Sequence, residues 1–471
     1  MAGRTSRTRN GLPARLGAVG LTSALGATLL AGCGTGASGT EISVYVGADS
    51  AATVQRVAEK CSTSEYKVVG YGLPKSADDA RLQLARRITG GDASLDVMAL
   101  DVTWTAEFAQ AGWAVKVPDD VAQRTEKRVL AGPLKTAKFT DELYGVPAWT
   151  NTQLLWYRKD ILSQLTGKPI TAPPKFTWAQ LLDFTGQSLG KRGPAQIGVT
   201  AAQYEGLTVW FNSLLESAGG KVVDETGKRV VLGEGKNREA AVQALRTMKD
   251  VATAPGHDPS FTQTMETEIR LGMERGDALF EVNWPFVLSA MQQNSAAGTV
   301  PFLPEMTRFA DVVKKPTNDQ LKQMNAVIQK KFDFTTYPRI APGVPARPTI
   351  GGANYAVSPT STKKDLAWKA IECLTNDESE KAYGLDAGTP PVLPSLYDDP
   401  EYLAVYPMAK LIRDQLQENT SSVRPVTPVY QAMSTLLQAK LSPVGSWDPD
   451  SLVDELVTAA TKAIDQKGLV P

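Results

Sequence analysis

Histidine is almost missing from this chain: His257 stands alone in the loop-like run Ala254-Pro255-Gly256-His257-Asp258-Pro259. That excludes a His-rich metal site, and any His-dependent nucleophilic triad that this one imidazole does not serve by itself. Cysteine is scarce as well, with Cys33, Cys61 and Cys373 at spacings that match no zinc motif. There is no Gly-x-x-x-x-Gly-Lys-Ser/Thr loop, so nucleotide hydrolysis of the P-loop kind is not expected, and no cofactor is expected either. Neither sign of charge prevails, with 50 basic and 50 acidic side chains, a balance that offers nothing to nucleic acid. No apolar run is long enough to span a bilayer. The best, Leu16 to Leu30, has 15 residues diluted by glycine, against the roughly 20 that a crossing helix needs. Internal repeats and long low-complexity tracts are absent too. What stays open is a surface for a solute or partner, or chemistry carried by carboxylates.

What the chain does have begins at its N-terminus. Arg4, Arg7, Arg9 and Arg15 form a positive region, Leu16 to Leu30 a short apolar one, and Leu30-Ala31-Gly32-Cys33 closes it with small residues before a cysteine. This is the build of a lipoprotein signal peptide over residues 1–32. The expectation is cleavage before Cys33, a diacylglycerol thioether on its sulfur and acylation of its new amine. Two or more acyl chains anchor stably where one would not. The rest of the chain would then sit at the extracytoplasmic face of the cell membrane. Removing residues 1–32 takes away four arginines and no acid, leaving a net charge of −4 on 439 residues. That length suits about two or three compact units. Cys61 and Cys373 remain as an even pair in an oxidising compartment, so a disulfide is expected, with two buried free thiols as the alternative.

Periodicity then alternates between strand and helix. Ile42, Val44 and Val46 alternate with Ser43 and Tyr45, and Val54, Val57, Ala58 and Cys61 recur at helical spacing. Tyr66–Tyr71 reads as a second strand. Ala80, Leu84, Ala85 and Ile88 mark a helix stopped by Gly90-Gly91, and Leu95–Leu100 reads as a strand covered on both faces. Such βαβ alternation predicts an α/β sheet whose ligands bind beyond the carboxyl ends of the strands. Asp101 stands directly after such an end. Further on, Pro173-Pro174 precedes a helix start at Thr177, helices fill much of 205–275 around a hairpin-like 221–232, and Pro285 interrupts the pattern after Trp284. Residues 306–348 are polar and proline-rich and read as an insertion.

Several tracts together resemble the family 1 extracellular solute-binding proteins, the maltose-binding-protein class that serves ABC sugar importers. They run in order: Asp96-Val97-Met98-Ala99-Leu100-Asp101, Tyr144-Gly145-Val146-Pro147 through Trp156-Tyr157-Arg158, Met273-Glu274-Arg275-Gly276-Asp277-Ala278 before Asn283-Trp284-Pro285, and Ile350-Gly351-Gly352-Ala353-Asn354-Tyr355 before Ala367-Trp368. More narrowly, Leu95–Val115, Thr150–Arg158, Glu281–Phe286 and Arg424–Tyr430 are similar to the trehalose-binding lipoproteins of mycobacteria. The resemblance implies two α/β lobes joined by a hinge, with a ligand cleft between them. It places residues 41–147 and 306–357 in lobe I, and 148–305 and 358–471 in lobe II. It implies a disaccharide ligand, trehalose foremost, and as partners an ABC permease with its ATPase subunits.

A sugar needs donors and acceptors for its hydroxyls and an aromatic platform for a C–H face. Asp101 is the first candidate acceptor, with a helix N-cap as its alternative role. Asn151 matches a polar ligand position of the family, or else serves a turn. Trp284 is the candidate platform, held extended by Pro285, with burial in a core as the alternative. Arg424, in a loop-like Ser421-Ser422-Val423 context, can fork onto two hydroxyls. Glu205 and Glu266 lie near helix starts, where first-turn electrostatics is the plainer role. Asp49 and Ser50 follow the first strand, where the family often has a ligand contact and where capping is the common role. Gly351-Gly352 either admits a close ligand or relieves a turn. Two other readings stay open at this point: an envelope glycosidase with paired carboxylates, and a lipid-anchored structural module.

Overall fold

The computed structural model describes residues 40–466, so Cys33 and the segment 1–32 lie outside the described residues. The strands run β1 (Thr40–Val46), β2 (Tyr66–Gly72), β3 (Val97–Asp101), β4 (Lys138–Phe139), β5 (Glu142–Leu143), β6 (Val146–Asn151), β7 (Leu154–Arg158), β8 (Gln196–Gly198), β9 (Ala278–Asn283), β10 (Phe332–Thr335) and β11 (Gly351–Val357). Two sheets organise them: a five-stranded one in the order β2-β1-β3-β11-β6 and a four-stranded one in the order β10-β7-β9-β8, with β4 and β5 as a separate pair. In the first, β1 is parallel to β2 and β3, while β11 runs antiparallel to both β3 and β6. The expected α/β fold with two lobes is what these sheets and their covering helices form.

Both sheets are buried on two faces, and the strand period of two divides their side chains. Along β7, Leu155 and Tyr157 enter one core with Trp210, Leu245 and Met433, while Leu154 and Trp156 enter another with Met291, Phe332 and Tyr402. Along β3, Val97 packs with Ile42, Val357 and Trp368, and Met98 and Leu100 pack with Leu84 and Phe108. Local signals set the helices. Ser76 accepts from the backbone N–H of Asp79 at the start of Ala77–Thr89, and Thr177 with Gln180 closes a reciprocal capping box ahead of Trp178–Gly190. Among the described residues no helix is long and apolar enough to cross a membrane.

Among the described residues the chain passes between the two sheets three times. Asn151-Thr152-Gln153 leads from β6 into β7, Ile350 leads back into β11, and the stretch after the helix Asp377–Ala387 returns to the second core at Tyr397. The first and third passages touch, where the N–H of Thr150 donates to the carbonyl of Pro390 at 3.0 Å. These passages redraw the lobe boundaries expected from sequence. Within 306–357, β10 pairs with β7 in the second sheet and only β11 joins the first. Conversely, the helix Lys364–Leu374 lies on the first sheet, with Ala367, Trp368 and Ile371 in its core. The polar, proline-rich composition of 306–348 hid a capped helix, Asn318–Ile328, and the apolar strand β10.

Cys61 and Cys373 are joined, with Cα atoms 5.7 Å apart, tying the helix Ala51–Cys61 to Lys364–Leu374 across a sequence separation of 312. Closing so long a loop restricts the unfolded chain, a stabilisation of about 6 kcal/mol in the chain-entropy treatment. Replacing both cysteines by serine is expected to lower the thermal midpoint by roughly 5 °C or more while leaving far-UV circular dichroism intact. Reductant should move the wild-type midpoint the same way. Calorimetry that finds one midpoint for all three samples would show the thiols unjoined in solution.

Candidate functional site

Strand register assembles the site. Antiparallel pairing sets Ala353 against Asp101 on one side of β11, and Gly351 against Asn151 on the other. From the second sheet, Trp284 follows the last residue of β9 and is separated from the helix Phe286–Ala296 by its N-cap, Pro285. A Cβ built on Gly351 would lie 3.4 Å from Cη2 of Trp284 and 3.5 Å from Cβ of Asn151. One small residue therefore separates the tryptophan ring from the amide. Gly352 serves the sheet instead, since its φ is +137° and a Cβ there would stand 2.3 Å from the carbonyl oxygen of Trp149. Its lack of a side chain lets β11 and β6 approach, while Gly351 is the one whose nearest neighbour is the ring.

Asp101 does not cap the following helix, Thr105–Gln110, whose N-cap position is Trp104. Its Oδ1 accepts from the backbone N–H of Thr103 at 2.9 Å and from the Thr103 hydroxyl at 2.7 Å, an Asx turn that fixes the carboxylate at the strand end. Asn151 does make a local contact, its Oδ1 accepting from the N–H of Thr152 at 3.1 Å, while its amide N–H groups have no hydrogen-bond partner among the described residues.

Arg424 lies across from these groups. Residue Ser422 bridges to Thr349 beside the hinge, and the loop beyond it brings the guanidinium to 3.7 Å from Oδ1 of Asp101 and 2.8 Å from Oε1 of Glu205. Only 9% of the Arg424 side chain is exposed. Burial alone would lower its pKa, but the neighbouring Tyr430 oxygen and the carboxylates of Asp101 and Glu205 outweigh that and raise it. Glu205 opens the helix Glu205–Ser217, as its sequence position suggested, yet its carboxylate is engaged by Arg424, by the Tyr430 hydroxyl and by Ser434 Oγ at 2.6 Å. Tyr430 and Ser434 were not singled out from sequence. Tyr430 ends the Arg424 tract and Ser434 follows four residues on, so the two share a helix face.

Glu266 opens the helix Glu266–Arg275, and its carbonyl accepts from Nδ2 of Asn283 at 3.0 Å, while Oδ1 of Asn283 accepts from the N–H of Trp284 at 2.9 Å. That amide ties Glu266 to the tryptophan. Beside it, burial and then the charge of Glu266 hold the Tyr204 hydroxyl far above its ordinary pKa. Nδ2 of Asn283 also donates to Glu281 at 2.6 Å. Burial pushes the Glu281 carboxyl up from 4.5 to about 8, against the lowering effect of that hydrogen bond.

Ser50 ends one turn of 3-10 helix and takes the N-cap position of Ala51–Cys61 without a side-chain capping bond, a departure from the capping role expected of it. It lines a cavity of about 170 Å³ shared with Asp101, Gly352, Trp104, Trp149 and Lys75. The side chain of Asp49 lies outside the described residues. A larger cavity, about 670 Å³, opens on the far side of Arg424 between Lys138–Asp141 and Lys221–Lys228. The convergence of strand ends, rather than the size of that neighbouring space, locates the candidate site, because both sheets present polar groups there beside an aromatic face. Among the described residues no group of three or more metal-ligating side chains occurs.

Two α/β lobes with polar groups and a tryptophan gathered at the passages between them define a binding protein of the hinged, two-lobed class. The structure of T. maritima MalE3 with maltose superposes with a TM-score of 0.69 at 22% identity, covering 90% of this chain and 99% of that one. The sugar-binding protein MalE of Xanthomonas citri gives 0.70 at 19% identity over 91% and 98%. UgpB of Mycobacterium tuberculosis, in complex with glycerophosphocholine, gives 0.66 at 18% over 91% and 99%. In sequence, a probable ABC transporter-binding protein of Deinococcus radiodurans is 26% identical over 347 residues, 71% of each chain. The family model for the bacterial extracellular solute-binding proteins matches residues 65–381, and the chain belongs to that family. Its members bind solutes and are not enzymes.

The Glu281 shift has a readable consequence for stability. Between about pH 4.5 and 8 the folded protein keeps the proton on Glu281 while the unfolded chain releases it. The unfolded state then binds fewer protons, so stability falls as pH rises through that window and levels off above it. In Glu281→Gln this component should vanish, so that the thermal midpoint of the variant gains on wild type from pH 5 to pH 8. Parallel midpoint curves would refute the assignment.

Proposed function

We propose that this protein is a lipid-anchored extracytoplasmic receptor that binds a disaccharide, trehalose foremost, and hands it to an ABC permease driven by separate ATPase subunits. The observation that carries the reading is the meeting of Asp101, Asn151, Arg424 and the Trp284 ring at the passage between two lobes. Each suits a different part of a sugar. A carboxylate accepts from hydroxyls, an amide both donates and accepts, a guanidinium forks onto neighbouring oxygens, and an indole face covers C–H groups.

Magnitudes agree with such a ligand. A hydrogen bond to a charged group contributes about 1.5 to 3 kcal/mol and a neutral one about 0.5 to 1.5. A handful therefore supports binding near −8 kcal/mol, the micromolar range, after ordering costs. Asp101, Glu205 and Glu266 stand near the cations Arg424 and Lys75, a near balance of charge that suits a neutral polyol. Trehalose is preferred over maltose on the resemblance of Leu95–Val115, Thr150–Arg158, Glu281–Phe286 and Arg424–Tyr430 to the mycobacterial trehalose-binding lipoprotein LpqY. The maltose-class glutamate at the first passage is Asn151 here, which also supports a different sugar. Since the contacts come from both lobes, ligand would favour the state in which the lobes are closed on it. Lipid on Cys33 would hold the receptor beside its permease.

Isothermal calorimetry against a panel holding trehalose and maltose side by side tests the reading, with tightest binding expected for trehalose. Trp284→Ala and Arg424→Ala should each weaken that binding by about 10- to 100-fold with far-UV circular dichroism unchanged. Wild-type titrations from the double variant would remove the site assignment, and silence toward every sugar would remove the ligand class. Gly351→Val offers a steric check: its methyls would fill the gap against Trp284 and should weaken sugar binding while the fold persists.

A further inference from the structure

Arg424 is aimed by a chain of hydrogen bonds that starts well outside the site. Glu205 opens the helix Glu205–Ser217, and Thr208 sits one turn further along it. Tyr430, Ser434 and Gln438, spaced by four, share one face of the helix Tyr430–Leu441 that packs against it. The Tyr430 hydroxyl donates to Oε1 of Glu205, the same oxygen that accepts Nη1 of Arg424 at 2.8 Å. Ser434 Oγ donates to Oε2 at 2.6 Å. A serine hydroxyl has one proton. With it given to Glu205, the Ser434 oxygen is left to accept, and it does so from Nε2 of Gln438 and Oγ1 of Thr208, both at 2.8 Å.

Both oxygens of Glu205 are therefore fixed from outside the cleft, and a carboxylate held at both ends cannot turn. The other terminal nitrogen of Arg424 is only loosely occupied, 3.5 Å from the carbonyl of Ile350 and 3.7 Å from Asp101, distances beyond a good hydrogen bond. One edge of the guanidinium is anchored and the other is free to meet a ligand. We propose that Tyr430 and Ser434 are positioning residues for ligand binding: they lock Glu205, and Glu205 points Arg424 into the cleft without itself serving as a ligand contact. This rests on the cleft being the sugar site. When the lock is lost, Arg424 turns toward Asp101 and ties up an acceptor that the ligand needs.

Tyr430→Phe keeps the ring and removes only the hydroxyl, and Ser434→Ala removes the second hold. Each should weaken trehalose binding by about 5- to 20-fold, a fraction of what one hydrogen bond to a charged group contributes, because the guanidinium is misaimed and not removed. A merely structural role would give the same loss in any background, so the decisive measurement is a cycle with Arg424→Ala, titrated by tryptophan fluorescence into the millimolar range. There Tyr430→Phe should add no further loss. Arg424→Lys serves as a second background, in which the loss should shrink, so that a chain of unmeasurable affinity does not decide the matter. Unaltered affinity in both single variants, or a loss of equal factor with and without Arg424, overturns the proposal. If wild type itself ignores every sugar, the reading of the cleft fails instead, and the two failures are thereby distinct.

Discussion

The pairing of β11 between β3 and β6 is the constraint on which the candidate site depends. Three segments far apart in sequence meet because this strand, starting at Gly351, runs antiparallel both to β3, which ends at Asp101, and to β6, which ends at Asn151, with one register shift against β6 between Ala353 and Asn354. A slip by one residue would turn every side chain to the opposite face. Gly352 protects the register at its tightest point, where the carbonyl of Trp149 occupies the place of a side chain. Cores on both faces of the sheet then fix the strands to within the tolerance that hydrogen bonding demands.

Electrostatics divides the site between groups that hold and groups that are held. Thr103 immobilises Asp101, Asn283 links Glu266 to Trp284, and Glu205 secures Arg424. Such preorganisation lowers the ordering cost of binding, because side chains already confined lose little more freedom when a ligand arrives. It also sharpens selection. A buried guanidinium or carboxylate left without its intended hydroxyl is penalised by far more than a mismatched apolar surface.

Local patterns in the sequence located most of what is local in the structure. The strands at Ile42–Val46 and Tyr66–Tyr71, the helix halted at Gly90-Gly91 and the strand-end position of Asp101 followed from period and punctuation, because short-range sterics set them. The disulfide partners followed from cysteine arithmetic. Lobe membership did not. Residues 306–348 looked like an insertion since composition averages over a segment, whereas Phe332 and Phe334 needed only four residues to join the second sheet. Lys364–Leu374 reads as an amphipathic helix anywhere, and only the tertiary position of β1 decides which sheet it covers. In the site, Arg424 was legible through its tract, while Tyr430 and Ser434 were not, because their partner Glu205 is more than 200 residues away. For Ser50 the local preference for capping misled, as no capping bond forms.

The insertion of β11 into the middle of the first sheet bears on how the chain can be made. Until residue 357 is available, β3 and β6 have no strand between them, and each exposes an unpaired edge to whatever is nearby. At synthesis rates of about 5 to 20 residues per second, the interval between β3 and β11 is on the order of tens of seconds. The first lobe cannot therefore be completed piecemeal from its N-terminus; it waits for most of the polypeptide. An architecture that postpones closure in this way keeps a nascent chain threadable, and it makes late truncation as damaging to the early half as to the late one.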